Sequence, residues 1–336
     1  MAIGWAVIGA SGIADRRTIP EGIMPSPGSE LVAVCGSNRE RTEAVARKYG
    51  VDLWFTDVEA MLDTPDIQAV YVASPVDLHK PHVLAAARRG MHVLCEKPLA
   101  LNVQECREIV EACREHGVKL MVAFMMRFHA LHQMLLKMVR EGDLGQLIFG
   151  RAQLGFWYPE APGLWRQEFR RSGGGAIMDV GTHCLDLLRM LMGEVADVAG
   201  FVDTMIFPYD VDDRSTLLLR YENGAHGVVD CAFNVPGEAS PNRLELYGTS
   251  GSVLLQGTLG QGSGGEMVVY LPADGRVGQV VEYQPVNTYF AEIEHFVRCM
   301  EKNETPVVTG EDATRLQEII EAAMACSKTG QVQHLR

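Results

Sequence analysis

The feature that most constrains the fold is a regular alternation of short apolar segments with amphipathic ones over the first 120 residues. The apolar segments are short, rich in Val, Ile and Leu, and nearly continuous in hydrophobicity: 3–8, 31–35, 69–73, 92–95 and 119–123. Strands buried on both faces of a parallel sheet have this character. Helical periodicity separates them at 39–49, 79–89 and 103–116. We therefore predict an α/β domain, doubly wound, over residues 1–124.

The rhythm changes after about residue 125. Helices are predicted at 130–141, 176–192, 289–302 and 312–328. The remaining segments alternate polar and apolar residues, as strands with one buried face do: 147–154, 198–204, 215–221, 225–233, 243–248, 252–255 and 267–270. Alternation without intervening helices favours antiparallel pairing. We predict that residues 125–336 form a second α/β domain, built on a large, mostly antiparallel open sheet, which binds substrate and mediates oligomerisation.

The charge balance excludes some classes of partner. The formal net charge of −13 argues against nucleic acid and anionic membrane surfaces, both of which attract basic proteins. No basic, apolar leader begins the sequence, and no apolar run is long enough to cross a bilayer. The eight cysteines include no Cys-x-x-Cys pair, so we expect reduced thiols in a cytoplasmic protein and no metal site.

The first predicted strand leads into a candidate nucleotide loop, Gly9-Ala-Ser-Gly-Ile-Ala14. The dinucleotide pattern Gly-x-Gly-x-x-Gly/Ala occupies this position between a strand and a helix. Gly9 and Ala14 match the first and last small residues, but Ser11 replaces the second glycine, which lets the backbone approach a pyrophosphate. The position at the start of a βαβ pattern favours a cofactor role. The residues assigned to cofactor binding here are Gly9, Ser11, Gly12 and Ile13.

The second predicted strand ends in Cys35-Gly-Ser-Asn-Arg39. Sites that prefer NAD place an acidic residue here for the ribose hydroxyls, and none is present. Ser37 and Arg39 suit a 2′-phosphate instead, so we predict that NADP(H) is preferred over NAD(H). The alternative interpretation is that Ser37 and Asn38 cap the next helix and that Arg39 is merely solvated.

Two further segments carry groups for catalysis. The first is Glu96-Lys97-Pro98, at the end of a predicted parallel strand, where open α/β sheets bind their ligands. The second contains Asp179, His183 and Asp186 at positions i, i+4 and i+7, which would share one face of a regular helix. A carboxylate one turn from an imidazole can orient it for acid–base work. A capping Asp and a buried structural His are the alternative.

Together these segments resemble the glucose–fructose oxidoreductase / inositol dehydrogenase / MocA (Gfo/Idh/MocA) family. The matching stretches follow the family's order over nearly the whole chain: 9–14, 73–79, 96–99, 126–128, 173–186, 246–251 and 309–312. Glu-Lys-Pro combined with Asp-x-Gly-x-His-x-x-Asp is the specific part of the resemblance. The resemblance implies a Rossmann domain followed by the open-sheet domain, and an NAD(P)-dependent oxidoreductase that transfers a hydride between nicotinamide and the carbinol or carbonyl carbon of a sugar or polyol.

The resemblance also implies roles for individual residues. The family's catalytic residues fall on Lys97, Asp179 and His183. Further residues implied to contact the cofactor are Ser74, Pro75, His79, Glu96, Lys97 and Arg166. Those implied to contact the substrate are Lys97, Arg127, Tyr158, Trp165, Asp179 and His183. The loop 157–167 is where members differ most. Ser11, Ser37 and Arg39 resemble the corresponding residues of members that use NADP.

Two other functions remain open on these residues. One is a glycoside or sugar oxidoreductase that keeps its cofactor bound and recycles it. The other is a non-catalytic nucleotide-binding regulator, against which the retention of Lys97, Asp179 and His183 speaks. Which of His183 and Lys97 takes the proton also stays open, because a desolvated lysine can act as a base. Since helices would cover only one face of the second sheet, we expect a homodimer or homotetramer that pairs the open faces.

Overall fold

The computed structural model describes residues 2–240 and 242–335. The chain folds as two units. The first comprises Met1–Met125 together with Tyr289–Arg315, and the second comprises Met126–Thr288 together with Leu316–Arg336. The simple division into 1–124 and 125–336 that the sequence predicts therefore differs from the observed one at 289–315, which belongs to the first unit.

The first unit is built on a parallel sheet of six strands in the order β3-β2-β1-β4-β5-β6 within the described residues. The strands are β1 (Ile3–Ile8), β2 (Ser29–Cys35), β3 (Leu53–Phe55), β4 (Ala69–Val72), β5 (His92–Glu96) and β6 (Leu120–Ala123). The α-helices between them are α1 (Arg39–Tyr49), α2 (Val58–Leu62), α3 (His79–Arg88) and α4 (Val103–Glu115). This order reverses direction beside β1, and it is the Rossmann arrangement that the alternating pattern predicts.

The pairing of β1 positions the loops that follow it. β1 pairs in parallel with β2 on one side and with β4 on the other. The carboxyl ends of β1 and β4 therefore lie side by side, at the point where the strand order reverses. Ligands of open α/β sheets bind at such a switch point.

Three elements of the first unit were not predicted. β3 and α2 are only 3 and 5 residues long, too short for a clear periodic signal. The third is a π-helical segment, Ala14–Ile23, which contains Pro20 and follows the loop after β1. A proline disrupts regular α-helical hydrogen bonding, which explains why no ordinary helix forms there.

Residues 289–315 join the first unit through side-chain packing. Helix α8 (Thr288–Lys302) lies so close to the π-helical segment that a Cβ on Gly22 would be 2.8 Å from Ile293. The ring of Phe296 lies 6.0 Å from that of Trp5, which is fully buried in β1. The order of elements along the chain does not predict that residues 289–315 belong to the first unit.

The second unit contains a nine-stranded sheet in the order β14-β13-β12-β11-β7-β10-β9-β8-β15, counted over the described residues. Its strands are β7 (Leu147–Gly155), β8 (Val195–Asp203), β9 (Arg214–Tyr221), β10 (His226–Ala232), β11 (Asn242–Gly248), β12 (Ser252–Gln256), β13 (Glu266–Leu271), β14 (Arg276–Val280) and β15 (Gln333–His334). All pairs are antiparallel except β7 with β10. The predicted fold class is thus confirmed.

The remaining helices are α5 (Ala130–Glu141), α6 (Phe169–Ser172), α7 (Thr182–Met192) and α9 (Gly310–Thr329), and a π-helical turn, Ile177–Gly181, precedes α7. Short 3-10 turns occur at Val76–Leu78, Met125–Phe128, Trp165–Gln167, Gly237–Ala239 and Pro272–Asp274. The glycine-rich stretch 257–265 connects the antiparallel pair β12 and β13, as a long hairpin loop should.

The two faces of the second sheet differ in burial. In β10 and just after it, Val229, Cys231 and Phe233 are at most 1% exposed. On the other face Leu218 is 57% exposed and Phe201 is 70% exposed. The alternation predicted one packed and one available face, and the available face is the one that carries Leu218.

All eight cysteines lie in the described part of the chain, each is buried, and none forms a disulfide bond. No helix among the described residues is long and apolar enough to cross a membrane.

A carboxyl group is buried in the first unit beside a second carboxyl group. Glu292 of α8 is 1% exposed, and its Oε1 has no hydrogen-bond partner among the described residues. Burial, and then the charge of Glu96, raise the pKa of Glu292 well above its usual range. Burial, and then the charge of Glu96, also raise the pKa values of Tyr71 and Tyr289. Burial and the like charge of the half-buried Glu96 therefore both favour the protonated form of Glu292.

This protonation makes stability depend on pH. A raised pKa means that the folded state retains a proton that the unfolded state loses above about pH 4.5, so stability falls as pH rises toward the folded-state pKa of Glu292. Glu292→Gln removes this titration. Relative to the wild type, the free energy of unfolding of the variant should therefore rise by up to about 1.4 kcal/mol for each pH unit between pH 5 and 8. Denaturant titrations at several pH values measure it. Parallel pH profiles for the two proteins would show that Glu292 is ionised when folded.

Candidate functional sites

The loop after β1 has the backbone geometry of a nucleotide-binding turn. Gly9 has φ +87°, and a Cβ there would lie 2.5 Å from the carbonyl carbon of Ala73, so only glycine fits. Gly12 has φ +55°, and nothing lies within 4 Å of the position its Cβ would take. The backbone at Gly12 is thus open to close approach. Ser11 is half-buried, and its N–H donates to the Gly9 carbonyl at 2.6 Å, which tightens the turn.

Of the three residues that follow Gly36 at the end of β2, one caps the next helix and the other two are exposed without capping it. Asn38 alone caps α1, accepting the Arg41 N–H at 2.9 Å. Ser37 and Arg39 are exposed, and the guanidinium of Arg39 lies 5.0 Å from the centre of the Trp54 ring. Stacking on an aromatic ring orients a guanidinium while its N–H groups stay available. Trp54 lies in the unpredicted β3, so its support of Arg39 was not foreseen.

His79 joins two loops of the first unit. Its ring is 1% exposed, with Nε2 at 2.9 Å from the Ser74 carbonyl and Nδ1 at 3.0 Å from the Pro98 carbonyl. Burial lowers the pKa of His79 to about 4, and in the neutral ring only one of the two nitrogens carries a proton and donates to its carbonyl. Ser74 is itself buried, its hydroxyl 3.0 Å from Nδ1 of His82, and Pro75 is half-buried beside it. His79 thus holds the turns after β4 and β5 in place, and its buried ring has little surface for a ligand.

Hydrogen bonds to the Glu96 carboxylate fix the turn that carries Lys97. The hydroxyl of Tyr71 donates to Oε1 of Glu96 at 2.6 Å, and the hydroxyl of Thr18 donates to Tyr71 at 2.9 Å. Oε2 of Glu96 accepts the Lys97 N–H at 3.2 Å. Lys97 is half-buried. Glu96 therefore acts as an acceptor that shapes the turn.

These features fit a dinucleotide. The open backbone at Gly12 admits a pyrophosphate, the oriented guanidinium of Arg39 lies at the end of β2, and the loops after β1 and β4 meet at the switch point. Gly9, Ser11, Gly12 and Ile13 would hold the phosphates. Ser37 and Arg39 would hold the ribose substituents.

In the second unit, the segment with Asp179 and His183 departs from a regular helix. The sequence predicts one α-helix over 176–192, but residues Ile177–Gly181 form a π-helical turn and the α-helix begins at Thr182. The prediction of one continuous α-helix over 176–192 is therefore wrong: Asp179 lies in the π-helical turn, whereas His183 and Asp186 lie in α7. π-turns inside helices often mark functional sites. Asp179 is half-buried and His183 is 6% exposed.

Several predicted site residues come together around Asp179. Burial raises the pKa of Tyr158, the nearby charge of Arg166 opposes this, and the charge of Asp179 adds to it. Tyr158 and Arg166 also interact through their side chains. The guanidinium of Arg166 lies 4.3 Å from the centre of the Trp165 ring. Asp179, Tyr158 and Arg166, with Trp165 behind the cation, thus form a cluster of charged and aromatic groups.

Arg127 has a different environment from the one expected of a substrate contact. Its Nε lies 3.0 and 2.9 Å from the two carboxylate oxygens of Asp186, and its Nη2 lies 2.6 Å from Oδ1. Arg127 is 6% exposed and Asp186 is 1% exposed. A buried bidentate pair of this kind fixes the 3-10 turn that carries Arg127 to α7. Its guanidinium is committed to Asp186, with little surface left for a ligand.

One residue of the second unit was missed by sequence reasoning. Asp212 is buried, and it accepts hydrogen bonds from the backbone just before the π-helical turn. Its signal in the sequence is a pair of acidic residues, Asp212 and Asp213, directly before an apolar strand. Such a pair is equally typical of a polar turn, so it is a weak signal for a functional residue.

Comparison with known proteins agrees with this geometry. The profile described as "Oxidoreductase family, NAD-binding Rossmann fold" matches residues 3–124, and the "GFO/IDH/MocA C-terminal domain" matches residues 132–254. The 1,5-anhydro-D-fructose reductase of Ensifer adhaerens is 31% identical over 98% of both chains. The D-xylose 1-dehydrogenase (NADP(+)) 2 of Haloferax volcanii is 31% identical over 97% of this chain and 98% of its own.

Among solved structures, the aldose-aldose oxidoreductase of Caulobacter crescentus in complex with glycerol is similar over 100% of both chains, with a TM-score of 0.92 and 29% identity. The chain belongs to the Gfo/Idh/MocA family, and the resemblance found in its motifs is confirmed. It is an NAD(P)-dependent oxidoreductase. Curated relatives include enzymes named for NAD(+) as well as for NADP(+).

Proposed function

We propose that this protein is a dehydrogenase or reductase that transfers a hydride between nicotinamide and the carbinol or carbonyl carbon of a sugar or polyol. The observation that carries the proposal is the cluster of Tyr158, Arg166 and Asp179 at the π-helical turn that leads into His183. Relatives named for reactions of sugars and inositol support the substrate class. Retention of Lys97, Asp179 and His183 favours catalysis over a purely regulatory role.

The chemistry assigns a separate task to each group. The bound nicotinamide supplies the hydride acceptor or donor. The substrate hydroxyl must also lose a proton, and the oxygen must be stabilised as negative charge develops. His183 takes the proton, since imidazole gains and loses protons near neutral pH. Asp179 orients His183, and the Lys97 ammonium donates to the oxygen.

The remaining members of the cluster suit a polyhydroxylated ligand. Tyr158 and Arg166 offer hydroxyl and guanidinium donors. The half-buried Trp165 offers a flat apolar surface next to them. A sugar ring presents both hydroxyl groups and apolar C–H faces. This combination supports a sugar or polyol over a small hydroxy acid.

The catalytic roles are tested by Lys97→Met and His183→Asn. We expect each variant to lower kcat by at least about 100-fold, since each removes a group that acts on the reacting oxygen or its proton. The affinity for cofactor should stay nearly unchanged. Turnover is measured from NAD(P)H absorbance with the best substrate of a polyhydroxy panel, and cofactor binding by fluorescence titration.

The double variant should lose less than the product of the two single losses, because the two groups serve one step. Lys137→Met and His226→Asn, on exposed positions of the second unit, are the matched controls. Turnover near the wild-type level in either catalytic variant would remove that residue from the mechanism.

The cofactor preference follows from charge at the end of β2. We propose that Arg39 and Ser37 hold a 2′-phosphate, and that the protein prefers NADP(H) to NAD(H). The support is the exposed guanidinium over Trp54 and the lack of an acidic residue at 36–38. Asn38 already caps α1, which leaves the Ser37 hydroxyl available.

Arg39→Ala should weaken NADPH binding by about 10- to 100-fold, the value of one hydrogen bond to a charged group, and leave NADH binding almost unaltered. Arg41→Ala, two residues further along the exposed side of α1, is the control for general loss of positive charge. Equal affinity of the wild type for NADH and NADPH would contradict the assignment.

We also propose that the protein is a homo-oligomer, a dimer or tetramer with two-fold symmetry that pairs the open sheet faces. Phe201, Leu218 and Val228 occupy one face, because Leu218 pairs directly with Val228 and Phe201 lies opposite Thr216. Ion pairs such as Arg214–Asp230, 2.8 Å long, lie among them. A patch that mixes exposed apolar groups with ordered charges is typical of a specific interface.

Light scattering at micromolar concentration should therefore give a mass that is a multiple of 36.9 kDa. Leu218→Glu should lower this mass, because it places a charge in the middle of the patch. Val307→Glu, at an equally exposed apolar position of the first unit, should not. A wild-type mass of one chain would refute the pairing.

A further inference from the structure

Asp212 accepts hydrogen bonds from the first backbone N–H groups of the segment that carries Asp179. The N–H of Gly175 donates to its Oδ1 at 2.6 Å, and the N–H of Ile177 donates to its Oδ2 at 2.8 Å. Between them, the N–H of Ala176 donates to the Asp212 main-chain carbonyl at 2.9 Å. Three consecutive amides thus end on one residue that lies far away in sequence, just before β9.

Close approach of the two segments depends on glycine. A Cβ on Gly175 would lie 1.9 Å from the Asp212 carbonyl oxygen, which no side chain can occupy. Gly174 has φ +157°, and a Cβ there would meet Met178 at 2.8 Å. The lack of a side chain at Gly175 therefore lets Asp212 reach these amides.

The electrostatics favour this arrangement. The amides that begin a helix have no partner within it, and they attract negative charge. Burial raises the pKa of Asp212, while the two amides and the hydroxyl of Ser215, which donates at 2.9 Å, oppose this rise. Because three donors surround the Asp212 carboxylate, they favour its charged form, which accepts all three hydrogen bonds. Asparagine cannot replace it, because one of its amide ends would face an N–H group as a donor.

The turn fixed by Asp212 leads directly to the proposed acid–base pair. The Asp179 N–H donates to the Gly175 carbonyl at 3.0 Å, so the residue that Asp212 holds also positions Asp179. We propose that Asp212 is a positioning residue for proton transfer, which sets the backbone of 175–177 and thereby the placement of Asp179 and His183. This inference rests on the proposed roles of Asp179 and His183.

Asp213, the next residue, is a matched control. It is 0% exposed, and its carboxylate accepts the N–H groups of Met205, Ile206 and Phe207 at 2.8, 2.7 and 2.9 Å. Asp213 therefore resembles Asp212 in burial and in accepting hydrogen bonds from neighbouring backbone amides, three for Asp213 and two for the Asp212 carboxylate. It holds a different segment, one with no direct hydrogen bond to the π-helical turn among those described.

The experiment compares Asp212→Asn with Asp213→Asn. We expect both to lower thermal stability by similar amounts. Asp212→Asn should lower kcat by about 10- to 100-fold, as expected for misplacement of catalytic groups by about 1 Å, and it should shift the pH profile of kcat. Cofactor affinity should stay within about 2-fold of the wild type. Asp213→Asn should keep kcat within about 3-fold and leave the profile unshifted.

A milder variant guards against misfolding. Ser215→Ala removes one donor to Asp212 and leaves both amide contacts in place. It should produce a smaller loss of kcat, with a pH shift in the same direction. Equal losses of kcat in the Asp212 and Asp213 variants, or an unshifted profile in both Asp212→Asn and Ser215→Ala, would overturn the inference.

Asp179→Asn and His183→Asn distinguish a failure of the positioning role from a failure of the proposed catalytic roles. If both lose turnover while Asp212→Asn keeps it, the positioning role is wrong and the proposed function stands. If neither loses turnover, the catalytic assignment itself is wrong, and the positioning role falls with it.

Discussion

Irregular backbone in a protein interior needs partners for its N–H and C=O groups, because each group left without one costs free energy. In both units of this chain, buried side chains supply partners that ordinary helices and strands would otherwise provide. His79 lies between the carbonyls of Ser74 and Pro98 and donates to one of them, and Asp212 accepts hydrogen bonds from the amides of 175–177. The candidate functional residues lie on the segments held in this way. Their geometry therefore depends on a few buried polar groups that have no chemical task themselves.

Buried charge is handled differently in the two units. In the second, Arg127 and Asp186 compensate each other at 2.6 Å, and removal of either would leave an isolated buried charge. In the first, Glu96 and Glu292 have the same sign, so burial drives one of them to the neutral form. Glu96 accepts hydrogen bonds from Tyr71 and from the Lys97 amide, whereas Oε1 of Glu292 has no hydrogen-bond partner among the described residues.

Sequence patterns predict the regular parts of this structure well and the irregular parts poorly. β1 and α1 lie where apolar runs and the Asn38 cap place them, since their causes are local. Helical periodicity does not reveal the π-helical turn at 177–181, whose first amide binds a residue from before β9. The return of 289–315 to the first unit is likewise decided by contacts with distant residues. For the candidate site, motif resemblance selects Lys97, Asp179 and His183, but it does not reveal that Arg127 is paired with Asp186.

The loop 157–167 and the π-helical turn are held by independent contacts, although both contribute to the cluster around Asp179. The side chain of Gln167, which is 6% exposed, accepts the Ala161 N–H at 2.9 Å and donates to the Pro159 carbonyl at 2.8 Å. Gln167 thus closes the loop on itself and the Tyr158 N–H ties it to the Phe233 carbonyl at 2.8 Å, whereas the first amides of the turn bind Asp212. Changes in the loop at exposed positions such as Glu160 can alter what surrounds Tyr158 and Arg166 without disturbing the amides of 175–177. On the proposed roles, this separation would let the surroundings of Tyr158 and Arg166 change while Asp179 and His183 keep their positions.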